Sequence, residues 1–258
     1  MESYSKNGVI ISMSQSFIYP DWSAPDTVKA ISTTRQGGFS LPPFDSFNLG
    51  AHVGDNLDIV TKNRDSLLDM AQLPEPPRWL NQVHGIDVSL ASNWQENDQA
   101  DAIVSKQSNQ VCTIMTADCL PILLCNRQGD TVAAIHAGWR SLAAGIIEKT
   151  VPHFNCPSHE ILAWFGPAIG PSQFEVGSDV YHTFTHHYEY AQKAFIQTSD
   201  SHYLADIYEL AKQRLNALGI YAIYGGNMCT VTESDQFFSY RRDGITGRMA
   251  TMIWISDK

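Results

Sequence analysis

Apolar and polar residues alternate over VKAIST (Val28–Thr33), the pattern of a strand with one buried face. Residues 33–50, TTRQGGFSLPPFDSFNLG, are rich in Gly, Pro, Ser and Asn and read as a structured loop. Helical spacing follows, with Asp58 as cap and Val60, Leu67, Leu68 and Ala71 on one face, until Pro74, Pro76 and Pro77 end it. RWLNQV and IDVSLA are strand-like runs on either side of His84-Gly85, and DAIVS (101–105) is another. Further apolar runs at 111–116, 121–125 and 131–135 predict three successive strands. From Trp139 to Thr150 the period changes: Leu142, Ala143, Ile146, Ile147 and Thr150 share a helical face, and Pro152 stops the helix.

The second half repeats this alternation. HEILAWFG is a strand, and Ser178 or Asp179 can cap a short helix carrying Val180 and Phe184. A helix over 206–218 turns Ile207, Leu210, Ala211, Leu215 and Leu218 inward and ends at Gly219. IYAIYG is a strand, and the chain closes on a turn-bearing segment, FFSYRRDGITGRMATMIWIS, with a long apolar end. Roughly ten strands against four helices, mostly joined by short turns, is an α+β balance rather than a doubly wound βαβ series. With no internal repeat and no linker-like stretch, residues 1–258 read as one domain, and residues 1–25 as an N-terminal extension or edge strand.

Composition narrows the function. A chain of 258 residues with 43% hydrophobic and 17% charged residues is ordinary for a globular protein. Its net charge of −10 argues against nucleic-acid binding, so any anionic ligand needs a local basic pocket. No apolar run reaches the ~18 residues of a membrane span, and the N-terminus lacks the pattern of a signal peptide. Five cysteines without framework spacing fit a reducing, cytoplasmic setting.

The chemistry concentrates between residues 111 and 147. Cys119 follows TIMTAD, where Thr116, Asp118 and Pro121 are unusual company for a buried cysteine; Cys112 and Cys125 read as core residues. His136 closes an apolar run before Ala-Gly-Trp-Arg, beside an expected helix N-terminus that gathers N–H groups. His84 stands next to Gly85 in a turn between strands. One thiolate and two imidazoles suit zinc with a fourth position open, the pattern of a catalytic site. The rival chemistry takes Cys119 as nucleophile and a histidine as its base. A third alternative is a closed structural zinc site with Asp118 or Cys229 as the fourth ligand. Arg35, beside Gly37-Gly38, offers a guanidinium next to N–H groups that could cup a phosphate. Arg140 could bind an anion or pair with a carboxylate on its own helix, and Arg241, Arg242 and Arg248 could brace the C-terminal strand.

The segments TTRQGG, FNLGAHVGD, NQVHG, DAIVS, TADCLPILL, HAGWRSLAAGII, FGPAIGPSQFEVG and CTVTESDQFFSYRRDGITGRMA resemble, in order, the YfiH-type or laccase-domain family. The resemblance covers nearly the whole chain from about Ile31 onward. It implies one zinc held by His84, Cys119 and His136, and a four-layer α/β/β/α sandwich of mixed sheets. It also implies phosphorolysis of adenosine, inosine, guanosine and methylthioadenosine, with adenosine deamination, or the editing of peptidoglycan precursors. The partners expected are a small-molecule nucleoside and phosphate, with Arg35, Gln82, Asp118 and Arg140 as candidate contacts. A monomer or weak homodimer is expected. Ser141 departs from the family's usual glycine after HAGWR, at no proposed ligand. Copper is the less fitting metal, because the sequence has no paired His-x-His elements.

Overall fold

The computed structural model describes residues 3–6, 9–12, 16–186 and 188–257. It begins with a paired hairpin, β1 (Ser3–Lys6) and β2 (Val9–Ser12). The short β3 (Phe17–Ile18) and β4 (Val28–Thr33) come next, then α1 (Leu57–Met70). After them come β5 (Val88–Leu90), β6 (Ala102–Ser105), β7 (Cys112–Thr116), β8 (Leu120–Asn126) and β9 (Val132–Ala137). Two short helices follow, α2 (Trp139–Ala144) and α3 (Ile146–Thr150), then β10 (Ile161–Phe165). The second half holds β11 (Glu175–Gly177), α4 (Ser178–Thr185), β12 (Phe195–Gln197), β13 (His202–Ala205) and α5 (Ile207–Ala217). It ends with β14 (Ala222–Gly225), α6 (Tyr240–Asp243) and β15 (Met249–Ile255).

Two sheets form the centre. One has six strands in the order β14-β10-β8-β9-β6-β5, and the other has four in the order β3-β4-β15-β7. Val28, Ile114 and Ile253 of the smaller sheet pack on Ile103, Leu123, Ala134 and Leu162 of the larger, so the sheets lie face to face. The outer face of the smaller sheet carries Ile31, Ala250 and Met252, which bury against Leu67 and Met70 of α1. On the far side, Val104, Ile122, Ala133 and Ile135 meet Leu142, Ile146, Ile147, Leu210 and Leu215 of α2, α3 and α5. This is the expected α+β sandwich in four layers. Strands β8 and β9 are buried along their whole length because both faces are covered, which is why they read as continuous apolar runs. Each fully buried Ile or Leu there contributes about 1.5–3 kcal/mol.

Several elements differ from the sequence expectation for local reasons. The cap of α1 is Asn56, whose Oδ1 accepts from the N–H groups of Asp58 and Ile59, while Asp58 lies in the first turn. The helix expected from Trp139 to Thr150 breaks at Gly145, whose φ of 98° ends α2 in the left-handed region before α3 begins. Neither Ser178 nor Asp179 caps α4; the N-cap is Gly177, without a side-chain cap. RWLNQV forms isolated bridges at Arg78 and Asn81 instead of a strand. A three-stranded sheet, β11-β13-β12, was not expected. Among the described residues, no helix is long and apolar enough to cross a membrane.

Candidate metal centre

The site forms where the chain passes from one central sheet to the other. Cys119 lies in the bend between β7 and β8, and β8 runs antiparallel to β9 with Leu120 opposite Ala137 and Pro121 opposite His136. That register sets Cys119 just beyond the end of the pair, beside His136 and Gly138. On its other edge β9 pairs with β6, Ala102 opposite Ile135, so Asp101 lies next to His136. One central strand thus presents its histidine between a thiol and a carboxylate.

Asp101 is fully buried and organises both histidines. Its Oδ1 is 2.7 Å from His136 Nδ1 and accepts from the His84 N–H at 3.0 Å. Its Oδ2 accepts from the N–H groups of Gly85 at 2.6 Å and Val83 at 3.2 Å. Burial would raise the pKa of this carboxyl, but the hydrogen bonds from His136, Gly85 and Val83 outweigh it and hold the group ionised. The same bonds fix the turn in which His84 adopts a left-handed φ of 59°. Asp101 was missed by the sequence reading. Its signal was an acidic residue at the head of an apolar strand, where a bare carboxylate needs donors.

The three ligand atoms of His84, Cys119 and His136 lie within 4.8 Å of one another, and Cys119 Sγ is 3.8 Å from His84 Nε2. Ligands of a tetrahedral zinc, bonded at about 2.0–2.3 Å, stand roughly 3.3–3.7 Å apart, so small side-chain shifts bring this trio into register. His136 is buried, Cys119 partly covered and His84 exposed, which leaves the cluster open on one side. Burial alone would raise the Cys119 thiol, yet the His136 charge, with hydrogen bonds from both histidines, lowers it to about 6. His136 responds in the opposite sense: burial lowers it, but the Cys119 thiolate and Asp101 raise it. A ready thiolate, two imidazoles and a carboxylate behind one of them fit a zinc site in donor type and in support. Gly138 keeps the space clear: a Cβ there would lie 3.0 Å from His84 Cδ2 and 3.1 Å from Cys119 Sγ.

The trio opens into a pocket of about 480 Å³, whose lining includes Trp139, Ile169, Phe174 and Tyr240. The other candidates fall differently around it. Arg35 is not in its lining; its Nε donates to the Asp45 carbonyl, its Nη1 to the Ser234 carbonyl, and it stacks over Phe238. The expected phosphate loop, Arg35 to Gly38, thus lies outside the lining of this pocket. Gln82 lines the pocket, but both ends of its amide bind Met115, donating to the carbonyl and accepting from the N–H at 2.8 Å. Asp118 is buried with φ at 94°, and its oxygens accept from the Thr230 hydroxyl at 2.5 Å and the Arg241 N–H at 2.6 Å. It ties the C-terminal segment to the site and is not among the groups whose ligand atoms converge. Cys229 lies against the Gly170 N–H, outside the cluster. Arg140 lines the pocket over the Trp139 ring, with no ion pair among the described residues. Of the arginines near the C-terminus, Arg242 braces the backbone carbonyls of Thr230, Val231 and Phe237, whereas Arg241 and Arg248 line the pocket.

A family described as multi-copper polyphenol oxidoreductase laccase matches residues 29–256. The chain belongs to this YfiH-type, laccase-domain family. Among its relatives in the family, a Shigella flexneri protein named purine nucleoside phosphorylase YfiH is 54% identical over 239 residues, 92% of this chain and 98% of its own length. Neisseria meningitidis protein NMB0706 has a crystal structure similar to this fold, with a TM-score of 0.91, 45% identity, and coverage of 94% of this chain and 100% of that one. The structure of Bacillus licheniformis protein YfiH gives a TM-score of 0.86 at 27% identity, covering 94% and 97%. The laccase-domain name refers to several coppers, but among the described residues one group of three, His84, Cys119 and His136, has the spacing for a metal ion.

Proposed function

We propose that this chain is a zinc-dependent purine nucleoside phosphorylase that also deaminates adenosine. The observation that carries the proposal is a single pocket lined both by the His84–Cys119–His136 trio and by Trp139, Phe174 and Tyr240. It is supported by the names of relatives that match 92% of the chain. In phosphorolysis a phosphate oxygen bonds to the ribose anomeric carbon. The bond from that carbon to the base nitrogen breaks, its electron pair leaves with the base, and the base takes a proton from water. His84, Cys119 and His136 would hold a zinc ion, which when bound would supply Lewis acidity toward an oxygen nucleophile at neutral pH. The chain does the rest. Trp139, Phe174 and Tyr240 supply rings against which a flat base can pack, and Asp101 holds the His136 proton at Nδ1, leaving Nε2 to face the cluster. Gln82 acts by fixing the residues before His84 to β7 rather than by touching substrate.

The test is incubation of purified protein with adenosine, with and without phosphate, and separation of the products. Phosphate-dependent adenine with ribose 1-phosphate, and inosine without phosphate, are expected. If neither base nor inosine rises above a Cys119→Ala control, the proposal fails. Metal analysis of untreated protein should give one zinc per chain.

A second reading has its own observation. Cys119, His136 and Asp101 also stand in the order of a thiol nucleophile, its base and the group that orients the base. That order would suit a cysteine hydrolase acting on a peptidoglycan precursor. Turnover that survives exhaustive chelation and is lost on thiol alkylation would select this reading over the zinc enzyme.

A further inference from the structure

Phosphorolysis needs a place for a phosphate dianion, and the chain as a whole is acidic. The pocket is nonetheless lined by three arginines, Arg140, Arg241 and Arg248, none of which has an ion-pair partner among the described residues. Arg64, outside the lining, has none either. Arg64 is spent on the Leu49 carbonyl, through Nε at 3.0 Å and Nη2 at 2.8 Å, and on the face of Trp79. Arg248 is different. Its Nη1 donates to the carbonyls of Thr246 at 3.0 Å and Gly247 at 2.9 Å, which clamps one end of the guanidinium. Its backbone N–H is held by Asn48 Oδ1 at 2.9 Å, and its stem lies against Gly50. Among the described residues, no protein group accepts from its Nε or Nη2.

That edge is the fork that binds two oxygens of a tetrahedral anion at once. It is partly buried and feels the charges of Cys119 and Asp118, so it stands within electrostatic reach of the metal trio. His52 lines the same pocket, carried by the 48–55 loop that also holds Arg248. Its ring makes no hydrogen bond or ion pair among the described residues. Partial desolvation and the charges of Arg248 and Arg64 lower its pKa, so an arriving anion would reverse the field that disfavours its protonation. Arg140 and Arg241 also line the pocket and, like His52, are exposed to water; Arg140 lies over the Trp139 ring, and Arg241 spends Nη1 on the carbonyls of Gln173 and Glu175.

We infer that the Nε/Nη2 edge of Arg248, with the His52 ring beside it, is the seat of inorganic phosphate in this pocket. The inference rests on the phosphorylase reading for its choice of anion, while the site itself rests on the unpaired guanidinium edge. A phosphate ester on a nucleotide would present the same chemistry, so the test has an arm for each.

The experiment is equilibrium dialysis of the metal-loaded full chain against labelled inorganic phosphate, with adenosine 5′-phosphate as a separate ligand. Arg248→Met should weaken phosphate binding about tenfold or more, the loss of one charge-assisted bidentate contact. Arg248→Lys, which keeps the charge and loses the fork, should fall between the two. Because Arg248 also clamps its own loop, His52→Ala serves as the second variant: a rim residue without protein hydrogen bonds, its loss should weaken binding by roughly threefold. Phosphate affinity within twofold of the parent in both Arg248→Met and His52→Ala overturns the inference, as does binding of the nucleotide alone. Nucleoside cleavage, measured in parallel, separates the two readings. Phosphate binding that follows the variants without any base release leaves the site standing and refutes the phosphorylase; base release with an unaltered KM for phosphate in both variants does the reverse.

Discussion

Asp101→Asn is the sharpest perturbation of the centre, because the wild-type carboxylate accepts from four donors and each oxygen serves two of them. Oδ1 serves His136 Nδ1 and the His84 N–H, and Oδ2 serves the N–H groups of Gly85 and Val83. An asparagine amide keeps one oxygen and replaces the other with a donor. In one orientation the new NH₂ faces the Gly85 and Val83 N–H groups, and the turn carrying His84 loses its clamp. In the other it faces His84 N–H and His136 Nδ1, and the imidazole loses its orienting partner. Either way two donors lose their acceptor; those of the Val83–Gly85 turn are only partly buried, whereas His136 Nδ1 is fully so, and one of the two histidines is set free to swing. The expected result is a loss of roughly 1–3 kcal/mol in stability on urea unfolding of the metal-free protein. Zinc affinity, read by competition with a chromophoric chelator, should fall about 10–100-fold. A folded variant that binds zinc within twofold of the parent would refute the role given to Asp101.

Two further outcomes test the rest of the centre. Gly138→Ala suits its backbone, with φ at −59° and ψ at 154°, but the new Cβ meets His84 and Cys119 at 3.0 and 3.1 Å. About 1–3 kcal/mol of overpacking should appear as roughly a 5- to 150-fold loss of zinc affinity with the helix signal unchanged; unchanged affinity would show that the glycine is not needed as a gap. In metal-free protein, Cys119 should be alkylated by iodoacetamide with a pH midpoint near 6, reactive above that pH and quenched below it, because the thiolate is the reacting form. Cys112 and Cys125, both pushed up to about 12 by burial, should stay unmodified in peptide mapping. A Cys119 midpoint at or above the ordinary thiol value of about 8.5 would contradict the thiolate–imidazolium pairing.

Much of this protein can be read along the chain. Alternation located β4, apolar runs located the β6–β9 strands, and period-3.6 spacing located α5, since burial on one or two faces leaves its mark on neighbouring residues. The metal trio was legible too, as a thiol and two imidazoles each set beside a turn or glycine that spoils an ordinary core environment. What required the folded molecule was everything fixed by register between strands distant in sequence. The pairing of β9 with β8 on one edge and β6 on the other brings Cys119 and Asp101 to His136, and no local pattern encodes it. The same holds for the arginines. Arg35 and Arg248 both lie within two residues of a glycine, yet Arg35 meets carbonyls, the Asp45 carboxylate and an aromatic ring while Arg248 lines the pocket. A side chain's periodicity tells which face it takes, because that depends on its own backbone; its partner depends on which distant backbone arrives opposite, and only tertiary packing decides that.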